Sequence, residues 1–204
     1  MARHMKYCRS GRMMALAVLA FMLIPWLGWT VGGTVPQLDG VVDLAGTVVN
    51  PFAKEGQTTA HVFLFVAVDC PISNKYNPEV KRLVNEFARR GVRFWLVYPD
   101  PETPTEAIRK QVQDFRFEGK VISDRKQELV RKSQVRVTPE AALFSPAGEL
   151  IYHGRIDDRF PALGVERTQP TDRTLAVALT SFLSGRIVPV KITQAIGCPI
   201  PTTP

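Results

Sequence analysis

The sequence predicts an α/β protein, a three-layer sandwich carried behind an N-terminal membrane helix. Three observations predict it. An uncharged stretch, residues 13–31, follows a basic start. Two strongly apolar runs, His61–Val68 and Val92–Tyr98, flank a segment of helical periodicity. A hairpin signal near residues 141–154 and one more helix then close the pattern.

The N-terminus reads as an address. Arg3, Lys6, Arg9 and Arg12 precede residue 13 with no acid among them. MMALAVLAFMLIPWLGWTV follows, 19 residues without a charge. At about 1.5 Å per residue, a helix of this length nearly spans a bilayer core. Residues 1–12 should remain cytoplasmic and the rest of the chain be exported. Trp26 and Trp29 suit the far interface. The segment reads as a signal anchor, with a cleaved signal peptide as the alternative. Residues 32–40 form a linker, 41–184 the folded domain, and 185–204 a proline-rich tail.

Within the domain, VVDL and TVV in Val41–Val49 suggest a short hairpin. His61–Val68 (HVFLFVAV) reads as a strand buried on both faces, as in the middle of an α/β sheet. A helix should run from Ser73 to Arg90, since Val80, Leu83, Val84 and Phe87 share one face and Gly91 stops it. Val92–Tyr98 is the second buried strand. Thr103–Phe115 reads as a helix capped by Thr103, with Glu106 three residues on. Val121–Ile122 suggests a short strand and Asp124–Ser133 a charged helix. Ala141–Phe144 and Leu150–Gly154 pair around the turn Ser145-Pro146-Ala147-Gly148. Leu175–Leu183 is the last helix, stopped by Gly185.

The 204-residue chain carries a formal charge of +7. Four of its 26 basic residues belong to the N-terminal segment, and the rest nearly balance the 19 acidic ones. Signs alternate along the domain, so no basic face for nucleic acid is expected. No Cys-x-x-Cys-His haem site and no glycine-rich phosphate loop after a strand is present, and the expected chemistry needs no cofactor.

That chemistry centres on Cys70. It lies at a strand-to-helix junction, where unpaired N–H groups and the helix dipole favour a thiolate, the reactive form. Pro71 fits the first helical turn, and Ser73 or Asn74 is positioned to cap. Asp69 reads as a proton acceptor or a turn residue. Cys8 lies on the cytoplasmic side of the membrane segment. Cys198 lies 13 residues beyond Gly185, and an extended chain of that length spans roughly 43–47 Å. A domain of this size has a radius near 15 Å, so the tail reaches back to Cys70. A Cys70–Cys198 pair, a free Cys198 and an intermolecular bridge all remain open. Val137-Thr138-Pro139-Glu140 precedes a strand and reads, from residues alone, as a trans turn.

Several motifs together resemble the thioredoxin-like superfamily, and within it an exported bacterial redoxin or peroxiredoxin-like group of AhpC/TSA type. They are DCPISNKYNPEVKRL after an apolar strand, LVYPD, TPE, YHGRIDDRF and a terminal GCPI. The resemblance covers about residues 41–200. It implies that Thr138–Pro139 is a cis-proline loop facing Cys70, and that Arg155 or Arg159 holds the thiolate or a substrate oxygen. The chain departs from two family patterns. Ser73 stands where thioredoxins place their second cysteine, and Ala67 stands where peroxiredoxins place Thr or Ser.

Three functions fit these residues. The first is thiol–disulfide exchange outside the cytoplasm on protein or small-molecule thiols and disulfides. Cys70 is its nucleophile, Cys198 its resolving cysteine, and Pro71, Ser73, Thr138, Pro139 and Arg155 contact the substrate. The second is a thiol peroxidase in which Cys198 resolves a Cys70 sulfenic acid. The third is a copper carrier or binding module using Cys70, Cys198 and His153.

Overall fold

A computed structural model describes residues 38–202. The expected basic segment 1–12, the membrane segment 13–31 and the linker up to residue 37 lie outside the described residues, as do Cys8 and its surroundings. Among the described residues no helix is long and apolar enough to cross a membrane.

In chain order the elements are β1 (Val41–Val42), β2 (Ala60–Phe65), α1 (Pro71–Lys75), α2 (Asn77–Phe87), β3 (Val92–Tyr98), α3 (Thr105–Phe115) and β4 (Lys120–Asp124). They continue with α4 (Glu128–Ser133), β5 (Val137–Thr138), β6 (Glu140–Phe144), β7 (Leu150–Gly154), α5 (Thr174–Leu183) and β8 (Cys198–Pro199). Six strands form one sheet in the order β1-β4-β3-β2-β6-β7, and β5 pairs with β8 in a separate two-stranded ladder.

The sheet follows from the apolar runs. β2 is central, parallel to β3 and antiparallel to β6, and all six of its residues are buried. Its side chains alternate between two cores. Val62 and Leu64 pack with Leu96, Leu83 and Phe87 of α2, Ile108 of α3 and Leu179 of α5. Phe63 and Phe65 pack with Trp95, Phe144, Phe52 and Leu129 of α4. Helices therefore cover both faces, and the expected three layers are present. Each such buried side chain contributes roughly 1.5–3 kcal/mol.

The short hairpin expected over Val41–Val49 is present: Val42 bridges Val48, Asp43 N–H donates to the Thr47 carbonyl and Val49 N–H to the Val41 carbonyl, both at 2.9 Å, while β1 also pairs with β4. Three local readings change. The helix expected over Ser73–Arg90 is two helices broken at Tyr76, with a 3-10 turn at Ala88–Arg90. Pro78 has no N–H for the Asn74 carbonyl, which ends the first helix early. Thr103 does not cap α3: Pro104 is the N-cap, and the Thr103 hydroxyl donates to Asp100 Oδ2 at 3.3 Å. α4 starts at Glu128 because Gln127 adopts a left-handed conformation, φ 53°. Asp124 lies ahead of that helix, accepting from the N–H groups of Glu128 and Val130 at 2.8 and 2.9 Å.

Two buried groups of opposite sign titrate in one window. Burial pushes the Asp124 carboxyl up to about 6 despite those N–H donors. Burial, aided by Arg93, lowers His61 to about 4. Asp124 binds its proton more tightly folded than unfolded, so its contribution is full below about pH 4 and lost by about pH 6. His61 is held neutral, so its contribution is full above pH 6.5 and lost as pH falls through about 4. The two trends oppose one another. Relative to wild type, Asp124→Asn should gain about 3 kcal/mol as pH rises across this window, and His61→Phe should lose about as much. Urea unfolding at the two ends of the window measures both differences. Differences that do not change with pH would refute the assignment.

Candidate redox site

Cys70 follows the loop that leaves β2 and is the N-cap of α1, in extended backbone conformation. It is 1% exposed. Pro71 occupies the first turn of α1, where no N–H is needed, and is exposed. Neither Ser73 nor Asn74 caps the helix; both side chains turn back to the loop instead. Ser73 is buried, and its hydroxyl accepts from the Ala67 N–H at 3.4 Å. Asn74 Nδ2 donates to the Val68 carbonyl at 3.2 Å. Asp69 is exposed.

Two residues that pattern reading missed complete this brace. Gln111 of α3 is buried, and its Nε2 donates to Asn74 Oδ1 at 2.6 Å and to the Val68 carbonyl at 3.3 Å. Tyr98, at the end of β3, donates its hydroxyl to Gln111 Oε1 at 2.6 Å. The only sequence signal was a glutamine on the face of α3 that also carries Ile108. The loop bearing Cys70 is thus held by a chain of hydrogen bonds that runs from Tyr98 through buried Gln111 to exposed Asn74.

Opposite lies the loop that joins β5 to β6. The Thr138–Pro139 peptide is cis, as the resemblance implied and contrary to the trans turn read from residues alone. The Thr138 carbonyl oxygen is 3.1 Å from Cys70 Sγ. Glu140, 5% exposed, fixes this loop: its Oε2 accepts from the N–H groups of Arg136 and Val137 at 2.8 and 3.2 Å. His153 of β7 stands 3.6 Å from Glu140 Oε1.

The tail returns across this face, and Cys70 and Cys198 form a disulfide, with Cα atoms 6.1 Å apart. Two anchorages seat it. Lys191–Thr193 runs beside β7: His153 N–H donates to the Lys191 carbonyl at 3.0 Å, and Thr193 N–H to the His153 carbonyl at 3.1 Å. Gly154, with φ 138°, lets the tail approach, since a Cβ there would overlap the Thr193 carbonyl. Further on, β8 pairs antiparallel with β5, and Ile200 N–H donates to the Arg136 carbonyl at 3.0 Å. From within the first anchorage onward, Ile192–Ala195 border a cleft of about 520 Å³ lined also by Arg136, Glu140 and His153.

Of the residues singled out, the structure brings together Cys70, Pro71, Ser73, Thr138, Pro139 and Cys198. Arg155 is engaged elsewhere: its Nη2 meets Asp172 Oδ2 at 2.6 Å and its Nε donates to the Thr174 hydroxyl at 3.1 Å. Its backbone N–H donates to Thr193 Oγ1 at 3.0 Å, which makes it a support of the tail. Arg159 binds Glu166 and the Lys75 carbonyl. Among the described residues no three His, Cys, Asp or Glu side chains converge as a metal site.

The model of the AhpC/TSA family matches residues 31–153. The chain belongs to the AhpC/TSA family. The match ends 45 residues before Cys198, so the disulfide partner of Cys70 in this AhpC/TSA protein lies outside the family segment. Among solved structures, an uncharacterized conserved protein from Geobacillus kaustophilus is 26% identical with TM-score 0.70, covering 83% of this chain and 90% of that one. A hypothetical protein from Sinorhizobium meliloti 1021 is 21% identical with TM-score 0.66, covering 82% and 93%. A thioredoxin-like protein from Aeropyrum pernix is 17% identical with TM-score 0.50, covering 71% and 87%. The fold is thioredoxin-like. No curated protein matches the chain.

Removing the Glu140 carboxylate leaves two backbone N–H groups without their acceptor. Glu140→Ala should therefore lower stability by about 2 kcal/mol or more, and Glu140→Gln, which keeps an acceptor oxygen, by less than half as much. The urea midpoint at unchanged m-value reads both.

Proposed function

We propose that this protein is an extracytoplasmic thiol–disulfide oxidoreductase in which Cys70 is the nucleophile and Cys198 the resolving cysteine. The observation that carries the reading is the Cys70–Cys198 disulfide seated against the Thr138 carbonyl. The Cys70 thiolate attacks one sulfur of a substrate disulfide, and the other sulfur leaves as a thiolate that takes a proton from water. The Cys198 thiolate then attacks the Cys70 sulfur and releases the second substrate thiolate. The substrate gains two electrons, and the two cysteines lose them. An external dithiol resets the chain. In the reduced protein the Thr138 carbonyl accepts from the Cys70 S–H. Thr138 and Pro139 dock the substrate backbone beside Pro71, while Ser73 holds the loop and Arg155 the tail.

The basic segment 1–12 and the uncharged residues 13–31 support a membrane anchor with domain 41–184 and tail 185–204 outside the cytoplasm. A disulfide between the two exported cysteines suits an oxidising compartment. A second reading, thiol peroxidase, draws on the family match. There Cys70 takes an oxygen from a hydroperoxide, releasing the alcohol, and Cys198 displaces water from the sulfenic acid.

Purified chain supplied with a dithiol should reduce insulin disulfides. Cys70→Ser should lower the rate at least 100-fold, and Cys198→Ser should accumulate a mixed disulfide at Cys70. Equal rates in wild type and Cys70→Ser would sink the exchange reading. Peroxide consumption faster than insulin reduction would put the peroxidase first. In spheroplasts, added protease should digest the domain, and alkaline washing should leave the chain in the membrane. A domain protected from protease would place it on the cytoplasmic side.

A further inference from the structure

The tail shows what the redox face accepts. β8 lies on β5 in antiparallel register, Thr138 opposite Cys198 and Val137 opposite Pro199. Backbone bonding extends past the cysteine, where Ile200 N–H meets the Arg136 carbonyl. Ile200 itself packs against the core formed by Phe52, Phe63 and Trp95. The residue before the cysteine is glycine for want of space. A Cβ at Gly197 would overlap the Thr138 carbonyl oxygen and lie 2.7 Å from the carbonyl carbon and 3.1 Å from Pro139 N. Gly197 does not take a positive φ, so no left-handed conformation demands it. These neighbours are backbone atoms of a loop pinned by Glu140, and they have little freedom to yield.

We propose that the β5 edge is the seat for an extended polypeptide whose reacting cysteine follows a glycine, and that the tail segment Gly197-Cys198-Pro199-Ile200 is its resident occupant. The proposal rests on the thiol–disulfide reading above and names its partner. A small disulfide uses only the sulfur position. A polypeptide also gains the backbone bond that the Arg136 carbonyl now accepts from Ile200 N–H. In the mixed disulfide the partner's cysteine sits where Cys198 sits now, and its strand lies on β5. When the Cys198 thiolate attacks the Cys70 sulfur, the partner's sulfur leaves as a thiolate. The tail then retakes the edge, so resolution and release of the partner are one event. Because the tail is tethered, it competes at an effective concentration in the millimolar range. Only a partner that gains backbone bonds as well displaces it.

The test uses the reduced full chain carrying Cys198→Ser, which leaves mixed disulfides unresolved. The probes are the peptides Ala-Ile-Gly-Cys-Pro-Ile and Ala-Ile-Ala-Cys-Pro-Ile, each as a mixed disulfide with 5-thio-2-nitrobenzoate. Release of the coloured thiolate gives the rate, peptide mapping confirms attachment at Cys70, and reaction with free mercaptoethanol normalises the two peptides. The glycine peptide should react at least tenfold faster than the alanine peptide. Equal normalised rates would overturn the proposal and leave thiol exchange standing. Failure of Cys70 to react with either peptide or with dithionitrobenzoate would overturn the exchange reading itself. In the chain with both native cysteines, Gly197→Ala should slow formation of the Cys70–Cys198 disulfide at least tenfold. An unchanged rate would show that the seat tolerates a side chain there and refute the glycine requirement.

Discussion

Two segments, the Cys70 loop and the tail, converge on the Thr138 carbonyl, and the rest of the site depends on that approach. Cys70 Sγ lies 3.1 Å from its oxygen, and Gly197 lies so close that a side chain would strike it. β8 is held in register opposite the same residue. A carbonyl can accept only from the neutral thiol, so it opposes the thiolate that the start of α1 favours. With the disulfide formed there is no proton to place, and that conflict disappears. The loop carrying Thr138 therefore suits the oxidised pair, and Glu140 is what keeps it there.

The loss of the second motif cysteine has a structural counterpart. Where a dithiol motif places sulfur, this chain places Ser73, whose hydroxyl closes the loop onto the Ala67 N–H. Asn74 and Gln111 extend the same closure to Val68 and Tyr98. A hydrogen bond in place of a thiol fixes the shape of the Cys70 loop, but it cannot resolve a mixed disulfide. In the proposed exchange the second sulfur must come from another element, and the disulfide pairs Cys70 with a tail cysteine 128 residues away.

The parts of this arrangement legible in the sequence are those enforced by burial. β2 and β3 are covered on both faces, so their residues form apolar runs that need no context. The hairpin of β6 and β7 announces itself through the Ser145–Gly148 turn, where Gly148 takes φ 82°. Cys70 stands out because strand and helix patterns meet there. What escaped reading is set by tertiary contact. β5 and β8 have two residues each, too few to show a period. Gln111 looks like a polar surface residue until Tyr98 and Asn74 are placed beside it. Arg155 looked like a partner for the thiolate because charge is visible in a sequence, whereas the competing Asp172 and Thr174 lie 17 and 19 residues on. The break at Tyr76 was readable in principle from Pro78, but the strong apolar face of α2 masked it.

In the proposed exchange, the remote position of Cys198 changes what controls the chemistry. In a motif with both cysteines in one helical turn, the resolving sulfur is always at hand. Here its local concentration depends on how firmly the tail is docked, through Lys191–Thr193 on β7 and Ile200 on Arg136. Each 1.4 kcal/mol of docking is a factor of about ten in the occupancy of that seat. On that proposal, residues far from sulfur enter the redox chemistry. Gly154 makes room for Thr193, Arg155 and Tyr152 hold its hydroxyl, and Gln127 donates to the Pro201 carbonyl. Under the proposed mechanism, tight docking would speed resolution and close the β5 edge to partners, and loose docking would open the edge and delay resolution. A single set of weak contacts along the tail would set both.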